Sequence, residues 1–353
     1  MLKIEATMAE PKIRGVFTPN MVPLDKNGKI NEGEFRRYID WLIAKGVSGL
    51  YPNGSTGEFT RFSPEERRWI IKICADQAKG RVPILAGAAE ANVRDTLAAC
   101  DAYAEMGCAA AAICAPYYFK LSQESVSEYF IELARHSALD IVLYNIPQFA
   151  NEIAIPTVVK LADYERIVGM KDSSRDFPRF LNLMNLVRPR RPDFAFLIGT
   201  EEILMPALLM GADGGTVATS GIVPEVVMKM YDLTLSGDIE EARRIQFKLL
   251  ELINVMLFGA SFPEGFRAAL GLRGFVMGTS RQPLSSKEQC DLSAVRQTLH
   301  CILSQQGFVA DLPGSDAEPS ACGPGMEPET NAGITEEQIA NIVADVVRRV
   351  KGA

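Results

Sequence analysis

Between residues 15 and 218 eight short apolar runs alternate with stretches of helical periodicity. The apolar runs fall at 15–18, 49–52, 82–86, 109–114, 140–144, 167–170, 194–198 and 215–218. Helical patterns occupy 32–45, 64–78, 92–106, 124–136, 157–163, 178–187 and 201–210 between them. Asn31 opens the first, and Ser63-Pro64-Glu65-Glu66 opens the second as a capping box with proline at the first helical position. A strand that is apolar throughout must be covered on both faces, which is the condition of a parallel sheet flanked by helices. Eight such units is the number that closes a barrel, so the expected fold is α/β, a (β/α)8 TIM barrel. The rival, an open doubly wound sheet, lacks its GxGxxG after the first strand.

The barrel core is expected over 11–222. From 223 to 304 the pattern is helical without strands (226–235, 239–258, 264–272 and 287–303), which reads as a C-terminal helical extension of the same catalytic unit. Composition then changes. Residues 305–332 are rich in Gly, Pro, Ser, Asp and Glu and nearly free of apolar residues after Leu312, so a flexible linker is expected. Its reach is on the order of 30 Å by the flexible-chain rule. The last stretch, 333–353, reads as an amphipathic helix. Thr335 to Gln338 is a capping box between Ile334 and Ile339, and Ile339, Ile342, Val343, Val346, Val347 and Val350 form one apolar stripe. A helix this short is marginal alone, so the stripe needs a partner. That partner is its own barrel, a neighbouring subunit, or a shell or cargo protein met as by an encapsulation peptide of a bacterial microcompartment.

Several function classes are disfavoured at once. A net charge of −7 gives nucleic acid and anionic membranes nothing to bind. No apolar run reaches membrane-spanning length, and the N-terminus carries acids where a signal peptide is apolar, so the chain reads as cytoplasmic. The seven cysteines form no CxxC and fall mostly in apolar surroundings, as reduced packed thiols do. Only His136 and His300 are present, so a multi-imidazole zinc site or a Ser-His-Asp triad is not expected, and no metal or cofactor is called for. The chemistry must run on Lys, Tyr, Ser, Thr and carboxylates.

Lys171 is the candidate nucleophile. It follows the apolar run 167–170, at the mouth of a parallel strand, where an apolar cavity lowers its pKa and frees the amine to attack a ketone. An isolated lysine there would merely snorkel to solvent. Here it has company. Tyr144 ends the preceding strand, so its hydroxyl can reach the same mouth, where active sites of such barrels lie. After the second strand, Gly54-Ser55-Thr56-Gly57-Glu58 offers two hydroxyls and backbone N–H groups, a set that suits a carboxylate. Ala115-Pro116-Tyr117-Tyr118 follows the fourth strand.

Taken in order, these motifs, the Gly169-Met170-Lys171-Asp172-Ser173-Ser174 run, Gly199-Thr200-Glu201-Glu202 and Gly211-Ala212-Asp213-Gly214-Gly215 resemble the dihydrodipicolinate synthase / N-acetylneuraminate lyase family of class I aldolases. The resemblance covers residues 13 to about 300 and includes Arg281-Gln282-Pro283-Leu284. It implies a barrel, usually a homotetramer, acting on pyruvate or another 2-oxo acid through a lysine Schiff base. It implies that Lys171 forms the imine, that Tyr144 shuttles protons, and that Ser55 relays them and, with Thr56, holds the 2-oxo acid carboxylate. Tyr118 matches the tyrosine that the family often lends across a subunit interface. Ser173, Glu201, Glu202, Val217 and Phe149 fall at positions expected to meet the substrate.

The chain departs from particular members. Dihydrodipicolinate synthases carry arginine at the position of Phe149, for the second substrate's carboxylate; sialic acid lyases carry leucine there. The lyases' acid pair corresponds to Glu201 and Glu202, but the serine beyond their GADGG run corresponds to Ala218. The resulting expectation is a Schiff-base lyase that cleaves or forms a 4-hydroxy-2-oxo acid of the 2-keto-3-deoxy sugar acid type, with pyruvate and an aldehyde as partners. Alternatives in the same class are an N-acetylneuraminate-type lyase, a keto-deoxy acid dehydratase and a dihydrodipicolinate synthase. Outside it stands a non-catalytic 2-oxo acid-binding regulatory protein, against which the intact set Lys171, Tyr144, Ser55 and Thr56 argues.

Overall fold

The computed structural model describes residues 11–285 and 290–308. The tail helix, and the linker beyond Phe308, lie outside the described residues. Eight strands appear in chain order: β1 Gly15–Pro19, β2 Gly49–Tyr51, β3 Leu85–Gly87, β4 Ala110–Cys114, β5 Ile141–Asn145, β6 Ile167–Asp172, β7 Ala195–Ile198 and β8 Gly214–Gly215. All pairings are parallel, in the order β2-β1-β8-β7-β6-β5-β4-β3. The seam between β2 and β3 is bridged in parallel at Leu50 and Ile84. There the Leu50 N–H donates to the Pro83 carbonyl at 3.0 Å, and Gly87 donates to Pro52 at 2.9 Å. The sheet is thus a (β/α)8 barrel.

The helices are α1 Glu32–Ala44, α2 Pro64–Ala78, α3 Val93–Glu105, α4 Gln123–His136, α5 Ile155–Leu161, α6 Phe177–Val187, α7 Leu204–Leu209 and α8 Pro224–Ser236. The extension adds α9 Ile239–Leu257, α10 Glu264–Leu272 and α11 Leu292–Gln305. The Asn31 side chain caps α1, and the Ser63–Glu66 capping box opens α2 as the sequence implies. Two local expectations change. Residues 201–210 divide into a 3-10 turn, Glu201–Ile203, and α7, because Pro206 has no N–H to continue a helix begun at Glu201. The eighth strand is only two residues long. Residues 218–221 form a 3-10 turn, in which the Thr219 N–H donates to the Glu201 carboxylate at 2.9 Å instead of to a neighbouring strand.

Side chains of the strands divide by alternation into two cores. Phe17, Tyr51, Leu85, Ala110, Ala112, Val142, Val168 and Leu197 fill the barrel interior. Their alternates, such as Val16, Leu50, Ala111, Ile113, Leu143 and Met170, pack outward against the helices. One irregularity matters for the site. Pairing between β5 and β6 runs from Ile141–Ile167 directly to Val142–Gly169, so Val168 is an extra residue, a β-bulge. The bulge moves the alternation of β6 by one, so that Lys171 pairs with Tyr144 and faces inward with it, while Met170 faces out. Gly169 permits this, since a Cβ there would lie 2.7 Å from the Ala195 carbonyl oxygen.

Cys74, Cys100, Cys108, Cys114 and Cys290 are free thiols, but Cys301 is disulfide-bonded and departs from the all-thiol expectation. Among the described residues no helix is long and apolar enough to cross a membrane, and no cluster of His, Cys, Asp and Glu could hold a metal ion.

Candidate active site

Parallel closure brings the C-terminal ends of all eight strands to one mouth, and the ends of β2, β5, β6 and β7 deliver the chemistry. A cavity of about 350 Å3 there is lined by Ser55, Thr56, Tyr144, Lys171, Ser173, Glu201, Glu202 and Phe149. These eight sequence-predicted residues come together. Two others do not. Val217 is buried in the outer core between Thr216 and Ala218, which line the cavity in its place. Tyr118 is 90% exposed, in a left-handed conformation with φ of 79°, and lines neither this cavity nor the adjoining one in its own chain.

Lys171 is buried, and its Nζ lies 4.0 Å from the ring centre of Tyr144 and 4.6 Å from that of Tyr51. Burial pushes its pKa down to about 7, against the opposing pull of Glu201 and Cys114. Near neutrality a large share of this lysine is therefore the free amine. Its stem passes so close over β7 that a Cβ at Gly199 would sit 2.8 Å from Lys171 Cε and closer still to Ser173 Oγ. Glycine at this position keeps the lysine's channel open.

The Tyr144 hydroxyl shares a hydrogen bond of 3.2 Å with Ser55 Oγ. Burial raises the pKa of the phenol, with hydrogen bonding from Ser55 and Ser173 opposing the rise. The phenol thus rests protonated until a positive charge forms beside it. Ser55 and Thr56 are set by the turn that follows β2, with Glu58 at a φ of 57°. That turn is tied down by a buried ion pair from Glu58 to Arg267 of α10.

Behind the strand ends a second buried pair fixes β6. Asp172 faces away from the barrel axis and accepts from Arg179 of α6, from Asn145 Nδ2 at 3.1 Å and from the Ser174 N–H at 2.8 Å. Glu201 is buried and its carboxyl pKa is raised by that burial, with the Thr219 N–H pulling the other way. Gln246 of α9 donates to the Glu201 carbonyl at 2.7 Å and so holds the extension onto this loop. Glu202 forms an ion pair with Arg175 Nε at 3.3 Å.

Sequence reasoning missed part of the site. Gln148, Arg175, Thr200 and Thr216 line the cavity, and so do Ile253, Leu257, Phe258, Phe262 and Phe266 from α9, α10 and the segment between them. Phe149, 59% exposed, sits 6.0 Å from Phe262 ring to ring. Arg175 lies only four residues beyond Lys171, in a polar run that was legible; the aromatic wall arrives from nearly 100 residues away and carried no local signal. A smaller cavity of about 250 Å3 adjoins the first, shares Ser55, Ile146, Phe149 and Phe262 with it, and is closed by Phe59, Cys114 and Tyr117.

Comparison with known proteins agrees with this geometry. The model of the Dihydrodipicolinate synthetase family matches residues 12–302. A 4-hydroxy-tetrahydrodipicolinate synthase of Nitratidesulfovibrio vulgaris is 32% identical over 287 residues, covering 81% of this chain and 97% of the relative. Among solved structures, a prophage protein of the dihydrodipicolinic acid synthase family from E. coli K12, in complex with pyruvate, superposes with a TM-score of 0.77 at 27% identity, over 84% of this chain and 99% of that one. A 2-keto 3-deoxygluconate aldolase from Picrophilus torridus gives 0.71 at 28%, over 76% and 96%. A buried lysine beside a serine-linked tyrosine, at the mouth of a barrel matched along nearly its whole length, places this chain in the dihydrodipicolinate synthetase family, as a carbon–carbon lyase of the class I aldolase kind.

Proposed function

We propose that the chain cleaves or forms a 4-hydroxy-2-oxo acid of the 2-keto-3-deoxy sugar acid type through an imine on Lys171, with pyruvate as product or donor. The observation that carries this reading is the pairing of Lys171 with Tyr144 across β5 and β6 in one cavity, the amine's pKa lowered by burial and the phenol linked to Ser55. The neutral amine attacks the C2 ketone, the carbinolamine loses water, and a protonated imine results. Its positive charge makes C2 an electron sink and lowers the pKa of the neighbouring phenol. Tyr144, relayed through Ser55, takes the proton of the C4 hydroxyl. The C3–C4 bonding pair moves to the imine as an enamine, and the aldehyde leaves. Protonation at C3 and hydrolysis return pyruvate and the amine. Ser55 and Thr56 suit the substrate carboxylate, and Ser173, Thr200 and Glu202 form a polar wall suited to hydroxyl groups on the remaining carbons. The exposure of Tyr118 supports its reaching the site of a second copy in a homotetramer.

Incubation with pyruvate and borohydride, followed by peptide mapping, tests the mechanism: the label is expected on Lys171 alone. A label on another lysine, or none, refutes it. A panel of 4-hydroxy-2-oxo acids assayed for pyruvate release then ranks the substrates, and a best substrate without hydroxyls beyond C4 would refute the sugar-acid assignment.

A further inference from the structure

Arg175 stands in the loop after β6 with φ of 67°, in the left-handed region that a bulky side chain enters only at a cost. Among the described residues, five non-glycines have positive φ. Four of them, Asn53, Glu58, Tyr118 and Arg175, lie in the loops that leave β2, β4 and β6 at the barrel mouth, whereas Lys79 ends α2. Among non-glycine residues, left-handed backbone is therefore concentrated in the loops at the barrel mouth. Arg175 lines the same cavity as Lys171. Among the described lining residues these two are the cations, and Lys171 is spent on the imine. Arg175 is thus the cation left for a second anion.

Its present partner holds it weakly. The ion pair with Glu202 runs through Nε at 3.3 Å, with the arginine side chain 47% exposed and the glutamate 27%. Pairs with this much solvent contact add little net stability, whereas an anion offering two oxygens to one edge of a guanidinium binds through two charge-assisted hydrogen bonds. We propose that Arg175 reads an anionic group, carboxylate or phosphate, at the far end of the substrate, and that Glu202 is the placeholder this group displaces. The inference rests on the imine reading and narrows it: the substrate is a 4-hydroxy-2-oxo acid carrying a second anionic group. A cation for the aldehyde half is then supplied from the β6 loop, although Phe149 occupies the position after β5 where one would be sought.

The test couples pyruvate to three matched aldehydes: glyceraldehyde, tartronate semialdehyde and glyceraldehyde 3-phosphate. The full-length protein is expected to prefer one of the charged pair over glyceraldehyde by about tenfold or more in kcat/KM, and which one it prefers separates carboxylate from phosphate. Arg175→Gly suits the left-handed backbone and relieves strain, so it should fold. It is expected to lose that preference by about 10- to 100-fold, chiefly through KM. Arg175→Lys should keep part of the preference, and Glu202→Gln should increase it. No preference in the parent protein, or a preference that survives Arg175→Gly, overturns the assignment of Arg175. A preference weakened by Glu202→Gln overturns the placeholder role. Failure of the imine reading shows separately, as the absence of borohydride trapping of pyruvate in the unmodified protein.

Discussion

Replacing Lys171 by methionine should stabilise the fold, and by an amount that depends on pH. Burial lowers the lysine pKa from 10.5 to about 7. Between those values the unfolded chain carries a proton on Lys171 that the folded chain does not. Stability therefore rises with pH across this window, and is flat below about 7 and above about 10.5. At about 1.36 kcal/mol per pH unit, the penalty at pH 7 is about 5 kcal/mol, an upper figure because relaxation of the folded protein softens desolvation. Methionine has nearly the length of lysine, carries no charge, and leaves the Tyr51 and Tyr144 rings a neighbour to pack on. Lys171→Met is therefore expected to exceed the parent by about 2–5 kcal/mol at pH 7 and to lose that advantage steadily as pH rises to 10.5. Urea denaturation of both proteins at several pH values measures this, and the difference between them cancels every other titrating group. A difference that stays constant from pH 7 to 10 would show that Lys171 remains an ammonium in the folded protein. The nucleophile argument would then fail with it.

The rate of pyruvate trapping by borohydride should rise with pH through about 7 and level off above 8, as the amine of Lys171 loses its proton; a midpoint above 9 would contradict the depressed pKa. Tyr144→Phe removes the phenol that Ser55 contacts, and should lower aldol turnover by about 100- to 10,000-fold while pyruvate trapping persists. Equal loss of both activities would mean that Tyr144 acts before the C–C step. Asp172→Ala takes the buried carboxylate from the Arg179 guanidinium, which keeps only the half-exposed Glu152 and the Ile153 carbonyl, and should destabilise the protein by about 3 kcal/mol, read as a lower midpoint of denaturation; a change under about 1 kcal/mol would show the pair to be dispensable. Residues 306–353 fused to a fluorescent protein should concentrate it in microcompartment shells if the apolar stripe of the tail binds shell or cargo, and diffuse fluorescence there would remove that role.

What the chain order alone determined is what depends on local periodicity. Eight apolar runs separated by helical stretches imply a closed parallel barrel, and closure puts every strand end on one face. Ser55, Tyr144 and Lys171 each follow or end an apolar run, so their meeting at one mouth was legible before any coordinate. Tertiary structure decided what depends on register and on contacts between distant segments. The Val168 bulge turns Lys171 toward Tyr144, and nothing in the run 166–170 announces a one-residue change of phase. The short β8 and the turn after it follow from Glu201 capturing the Thr219 N–H, a partnership 18 residues apart. Phe258 and Phe262 reach the cavity from the extension, which Gln246 and Arg267 help fasten to the loops after β7 and β2. Alternation and helical period are written into neighbouring residues, but the direction of a catalytic side chain is set by which residue of the next strand it pairs with, and only the folded barrel supplies that partner.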